Sequence, residues 1–258
     1  MYKDDVSTCE QIAITQEKFG WPEYINVATG KNQKKRVLEA ARLINGAMRL
    51  SGSVQSLDTE VLGNIKRSNI APEQLMTLAL EASKIGANSY CELILGLPGE
   101  SKKTHYKTLN QTITAGFGVI YTFQLMMLPG SEMCTKESRK KFEMDTRFRI
   151  YPRCFGHFNI LDKPVTVAEI EEVCVGSSSL SFEDYLDCRK MHLMIAIFHN
   201  DGIFSTILKF IRTQKLSVYR WLELLNENNS SKKFESLKND FISMTKKELW
   251  DSENDLEK

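Results

Sequence analysis

The chain has 258 residues, 42% of them hydrophobic and 26% charged, with a formal net charge of +1. That length supports one large α/β domain, or a smaller domain with a helical appendage, and the balanced charge disfavours nucleic-acid and anionic-membrane partners, which call for concentrated basic patches. No apolar run is long enough to span a bilayer, and Met1-Tyr2-Lys3-Asp4-Asp5 leads into no apolar signal segment, so the sequence reads as cytoplasmic and free of membrane contact.

From the start to about Gly130 a helix closed by glycine and followed by a strand recurs, the pattern of parallel α/β sheets. Val6, Cys9, Ile12 and Ala13 give a first helix its apolar stripe, Gly20 is its left-handed stop, and residues 24–28 read as a strand. Asn32 opens a second helix with Val37, Leu38, Ala41 and Ile44 on one face. It ends at Gly46, residues 47–56 read as the next strand, and Asp58 is placed to cap a short helix. Pro72 starts a third amphipathic run that Gly86 ends, before a strand at 90–97. A further helix at 104–115 stops at Gly116 and hands over to a strand at 120–128. Four parallel strands do not close a barrel, so the expected architecture is an incomplete TIM-type barrel of βα units, about residues 1–133.

After Pro129-Gly130 the pattern changes. Residues 134–164 read as a connecting segment with a basic stretch from Lys136 to Lys141. Thr166-x-x-Glu169 and Ser181-x-x-Asp184 are capping-box candidates for a helical C-terminal region over 165–250, centred on an apolar helix from Phe182 to Phe198. Residues 251–258 read as a frayed tail.

Strand 47–56 carries the first chemical signal. With period two, Arg49, Ser51, Ser53 and Gln55 share one face while Met48, Leu50 and Val54 share the other, although central parallel strands are usually apolar on both. A polar ligand would satisfy that row; an edge strand with a wet face explains it equally. Gly96-Leu97-Pro98-Gly99 forms a sharp turn in which glycine lets a planar ligand approach the backbone, or which simply joins strand to helix. Glu92 shares the face of Ile94 and Gly96, as an acid near a substrate or as a partner of Arg49. Thr122 and Gln124 offer a polar face on the following strand.

Other signals are weaker. The cysteines Cys9, Cys91, Cys134, Cys154, Cys174 and Cys188 stand singly, which fits buried thiols in a reducing compartment and supplies no metal site. Gly30-Lys31 and the run from Gly96 to Thr104 do not satisfy the P-loop spacing. Cys154-x-x-His157 lacks a second ligand pair. His192 and His199 lie on an apolar helix, where core or surface packing accounts for them.

The wording of residues 55–67, Gln-Ser-Leu-Asp-Thr-Glu-Val-Leu-Gly-Asn-Ile-Lys-Arg, followed by Leu93-Ile94-Leu95-Gly96-Leu97-Pro98-Gly99-Glu100-Ser101, resembles the fourth and fifth βα units of the radical S-adenosylmethionine (SAM) superfamily. It is closest to the branch that often carries a cobalamin-binding domain. The resemblance implies that Gln55 and Ser56, with Arg49 and Ser53 behind them, contact ribose and methionine. It likewise implies that Leu95, Gly96, Pro98 and Met127 lie against adenine. Glu92 stands where the family has its first glycine and Glu100 falls one place late. The resemblance also implies SAM and a 4Fe-4S cluster as cofactors, with cobalamin in a further domain, and reductive cleavage of SAM that starts methylation or oxidative cyclisation of a small molecule. The C-x-x-x-C-x-x-C motif does not occur in these residues. The expectation is therefore a fragment holding strands three to six, inactive alone and partnered by the missing N-terminal part. Two alternatives stand beside it: a non-catalytic half-barrel completed by a partner chain, and an unrelated α/β binder of a small phosphorylated ligand.

Overall fold

A computed structural model describes residues 4–27, 34–52, 54–67, 77, 79–82, 89–229 and 231–256. Helix α1 (Asp5–Phe19) ends as expected at Gly20, whose φ of 67° turns the chain while its N–H bonds to the Gln16 carbonyl. Helix α2 (Lys34–Leu43) buries Val37, Ala40 and Ala41 against Met48 and Leu50.

The strand expected at 47–56 is interrupted. Met48 makes an isolated parallel bridge to Ile25, β1 is only Leu50–Ser51, and Gln55 makes a second isolated bridge to Leu93. Helix α3 (Thr59–Asn64) starts on Asp58, whose carboxylate accepts the N–H groups of Glu60 and Val61. Strand β2 (Ser89–Leu95) pairs in parallel with β1 on one side and with β3 (Val119–Gln124) on the other. Helix α4 (Lys102–Ala115) joins them, capped by Ser101 and stopped at Gly116.

The result is an incomplete, unclosed parallel sheet in the order β1-β2-β3, flanked by helices and followed by a helical C-terminal region. One face is core. Cys91, Leu93 and Ile120 pack on Leu109 and Ile113 of α4 and on Met191, Met194 and Ile195 of the C-terminal helices.

Residues 134–164 hold more than a connection. After a short helix α5 (Lys136–Phe142), β4 (Asp145–Ile160) and β5 (Lys163–Gly176) form a long antiparallel hairpin. Thr166 and Glu169 are β5 residues and cap no helix, so the helical region begins later than the sequence suggests. The root of the hairpin extends the sheet: Cys174 N–H bonds to the Leu125 carbonyl at 2.9 Å and Met127 N–H to the Glu172 carbonyl at 2.8 Å.

Ser181 caps α6 (Phe182–Phe198) through the Asp184 N–H, as its sequence pattern predicts. Helices α7 (Ser205–Thr213), α8 (Val218–Glu227) and α9 (Lys232–Lys247) follow, and a 3₁₀ turn at Glu253–Asp255 gives the tail local structure. No helix among the described residues is long and apolar enough to cross a membrane.

Candidate functional site

The two motifs singled out in the sequence are neighbours in space. Gln55 N–H bonds to the Glu92 carbonyl at 3.0 Å and Ile94 N–H to the Gln55 carbonyl at 2.9 Å, which fixes the first motif beside the second. Farther along, the Asn64 side-chain amide donates to the Pro98 carbonyl at 3.1 Å, docking α3 on the Gly96–Gly99 turn. Gln55 takes a φ of 59°. It shares a positive φ with seven other non-glycine residues among those described, and is held there by its N–H and its carbonyl, both bonded to β2; such strain recurs at ligand sites. Its side chain is half-buried.

The remaining candidates divide by burial. The Ser56 hydroxyl accepts the Asp58 N–H at 3.2 Å inside the protein, shaping the turn into α3. Leu95 points to the core side, among Val173, Val175 and Tyr185. Pro98 is buried, and Met127 packs with Val61, Leu97, Leu125 and Cys174. Gly96 has a structural reason to be glycine: its φ is 87°, and a Cβ would stand 3.1 Å from the Cys174 carbonyl of the hairpin. At Gly99, with φ 82°, a Cβ would meet the Asn64 amide at 2.6 Å. Both glycines serve close chain packing.

Arg49 is not part of this cluster. It lies six residues before Gln55 at the starting end of the strand, donates to the Tyr121 hydroxyl at 3.1 Å and covers the Tyr24 ring at 5.3 Å. Ser53 lies outside the described residues.

The face opposite the core is open. In register, Glu92 stands beside Tyr121 and Ile94 beside Phe123, and both aromatic rings are exposed. Thr122 and Gln124, the polar face offered by the sequence, share the other side of the sheet, because Leu93 and Leu95, their register partners, point into the core. The Gln124 amide oxygen accepts from Arg149 of the hairpin at 3.0 Å. Tyr121 and Phe123 were missed. Their signal was the alternation itself, read in the wrong phase.

Behind the turn runs a buried polar chain. Gly96 N–H bonds to the Glu100 carboxylate at 2.8 Å, Glu100 contacts His105 Nδ1 at 3.0 Å, and His105 Nε2 lies 2.8 Å from His192 Nε2. Burial, then His105 and Arg189, holds the His192 pKa well below its usual value.

An iron–sulfur cluster does not fit the described residues. No group of three or more His, Cys, Asp or Glu side chains among them is arranged to hold a metal. Burial pushes the thiols of Cys91, Cys174 and Cys188 up, away from the thiolate form that ligates iron.

No family model matches the chain. Over 216 residues, 82% of its length, it is 27% identical to the 2-(S-pantetheinyl)-carbapenam-3-carboxylate methyltransferase of Streptantibioticus cattleyicolor. Over the same length it is 24% identical to the cobalamin-dependent radical SAM methyltransferase TokK of Streptomyces tokunonensis. The chain is thus similar in sequence to two methyltransferases, one of them a cobalamin-dependent radical SAM enzyme. It spans 31% of the length of each of these two relatives. Among solved structures, the radical SAM enzyme coproporphyrinogen III oxidase (HemN) from Escherichia coli aligns over 48% of this chain and 29% of its own, at 23% identity and a TM-score of 0.38. The radical SAM methyltransferase TsrM from Kitasatospora setae aligns over 46% and 24%, at 12% identity and a TM-score of 0.36.

Proposed function

We propose that this chain supplies the SAM-holding strands of a radical SAM methyltransferase of the cobalamin-associated branch, with cluster ligands drawn from residues outside those described. What supports the reading is the strained Gln55, locked at a strand end beside the Gly96 turn and the open face. The two similar methyltransferases supply the reaction class. Gln55 is the side chain that offers hydrogen bonds to ribose or to the methionine end, and the backbone around Ile94 and the exposed Phe123 ring give a base an apolar surface. Ser56, Leu95, Gly96, Pro98 and Met127 act one layer back, as the packing that holds the strand ends in place. The chemistry of the radical SAM family is reductive cleavage of SAM at an iron–sulfur cluster, and none of it is assigned to the residues described.

Calorimetric titration with S-adenosylhomocysteine tests the reading. The expected result is weak binding that Gln55→Ala reduces by about tenfold, the loss of one good polar contact. Absence of binding, or equal binding by both proteins, overturns it. Reductive cleavage of SAM by this chain after cluster reconstitution would overturn the placement of the cluster ligands.

A second reading is favoured by the exposed Tyr24, Tyr121 and Phe123 beside Arg49 on the uncovered face. An apolar patch of this kind marks an interaction surface, which suits a half-barrel completed by a partner polypeptide. Co-purification with a cluster-bearing partner, abolished by Phe123→Asp, is the outcome that supports it, and unchanged co-purification by that variant removes it.

A further inference from the structure

At the opposite end of the sheet, where β3 begins, lies a cleft of about 370 Å³. Its lining includes Arg49, Arg212 and His199, with Phe117, Val119 and Leu208 as apolar wall. Arg49 spends one terminal nitrogen on the Tyr121 hydroxyl and lies over the Tyr24 ring, but not all of its donors are used. Arg49 Nε is buried with no hydrogen-bond partner among the described residues. Arg212 stands in the last turn of α7 at the rim of the cleft, exposed on one side, and the protein around the rest of it lowers its pKa.

His199 is the informative residue. It is 3% exposed, and its Nε2 has no partner among the described residues. Its tautomer follows from a chain of contacts. Asn200 is oriented by the backbone of Ile120: its Oδ1 accepts the Ile120 N–H at 2.9 Å and its Nδ2 donates to the Ile120 carbonyl at 3.0 Å. That Oδ1 lies 3.4 Å from His199 Nδ1, so the imidazole hydrogen belongs on Nδ1 and Nε2 presents a lone pair. Burial holds the ring neutral, with a pKa lowered to about 4. A buried acceptor without a donor is costly, and a ligand hydroxyl would satisfy it.

We propose that this cleft binds a phosphate monoester, its ionised oxygens on Arg212 and Arg49 and its P–OH on His199 Nε2, with the organic group against Phe117 and Leu208. A ligand that combines anionic oxygens with an acidic hydroxyl meets all three groups at once. A phosphate monoester does so below about pH 6, under its second ionisation, where it keeps one P–OH while His199 is still neutral. Sulfate carries no such hydrogen. The volume exceeds the need of a bare ion and suits an ester with a small organic part. The site is separate from the strand-end cluster around Gln55.

Calorimetric titration of the 258-residue chain at about pH 5.5, where the ester keeps its P–OH, with phenyl phosphate, inorganic phosphate and sulfate tests the assignment. The expected order is phenyl phosphate tightest, inorganic phosphate weaker and sulfate weaker again by about tenfold, the loss of one charge-region hydrogen bond. Arg212→Ala, a substitution at the exposed rim, is expected to weaken phenyl phosphate by about tenfold and to leave the melting temperature unchanged. Inorganic phosphate matching phenyl phosphate would overturn the ester and leave a site for the free ion. Sulfate matching phosphate, no binding of either phosphate, or an affinity indifferent to Arg212→Ala overturns the site.

Discussion

His105 Nε2 lies 2.8 Å from His192 Nε2, with both rings buried between α4 and α6. One of the facing nitrogens must donate and the other accept, while His105 Nδ1 faces the Glu100 carboxylate. His192 Nδ1 is left without a partner among the described residues. Burial keeps His192 neutral in the folded protein, and His199 with it. In the unfolded chain both take up protons below about pH 6.5. The unfolded state then binds more protons, so stability is complete above that pH and falls as pH drops. The decline is about 1.4 kcal/mol per pH unit for each ring, and for His199 it runs down to its folded value of about 4. Urea unfolding across this range is expected to show the slope, and His192→Gln to reduce it by about one proton's worth. A slope unaltered by the substitution would mean His192 titrates normally.

Gly96 and Gly116 both sit at positive φ, 87° and 92°, but only Gly96 has a neighbour in its Cβ direction, the Cys174 carbonyl at 3.1 Å. Gly116→Ala should therefore cost only the left-handed penalty, about 1–2 kcal/mol. Gly96→Ala should cost more, because the hairpin root must also shift. Equal losses in denaturant midpoints would mean that the hairpin root yields to the added methyl at no cost.

Gln55 stores strain of a similar size. Gln55→Gly is expected to leave stability within about 1 kcal/mol of the parent, because relief of the left-handed penalty offsets the added freedom of the unfolded chain. Gln55→Val should lose about 1–2 kcal/mol, since branching at Cβ is least tolerated at positive φ. Reversal of that order in chemical denaturation would mean that the strand end relaxes.

Arg149 ties the hairpin to its surroundings. Its guanidinium contacts Glu171 at 2.6 Å, Glu248 at 3.1 Å and Gln124 at 3.0 Å, and both Arg149 and Glu171 are buried. Arg149→Met leaves Glu171 charged and unpaired, and the expected cost is about 3–5 kcal/mol. The double substitution Arg149→Met, Glu171→Met should recover much of it, because two apolar side chains need no partner. A double variant as unstable as the single one would assign the loss to packing.

The parallel part of the fold was legible because each of its signals is local. Gly20 and Gly116 stop their helices, Asp58 caps one from two residues away, and apolar spacing at Val37, Ala41 and Ile44 marks a buried stripe. Adjacency of the two motifs was legible because consecutive parallel strands of a βα sheet are usually neighbours. The hairpin was not. Phe155, Phe158, Ile160 and Leu161 stand exposed on a ribbon that packs on little else, so no alternation betrays a core face, and Thr166-x-x-Glu169 imitates a helix start. The phase of β3 also escaped, because Gln124 is satisfied by Arg149, a residue 25 positions away. The site was legible only as a neighbourhood. Gly96 reads as room for a ligand until Cys174, far along the chain, takes that room.

The outer border of β3 is stoppered at both ends. Asn200 takes the Ile120 N–H and carbonyl with one side-chain amide, and the hairpin root takes the Leu125 carbonyl and the Met127 N–H. Those are groups that an incoming parallel strand would need. Among the described residues, growth of this sheet into a larger curved wall is therefore one-sided: the border left for another strand lies beyond Ile25, where the bridge to Met48 begins.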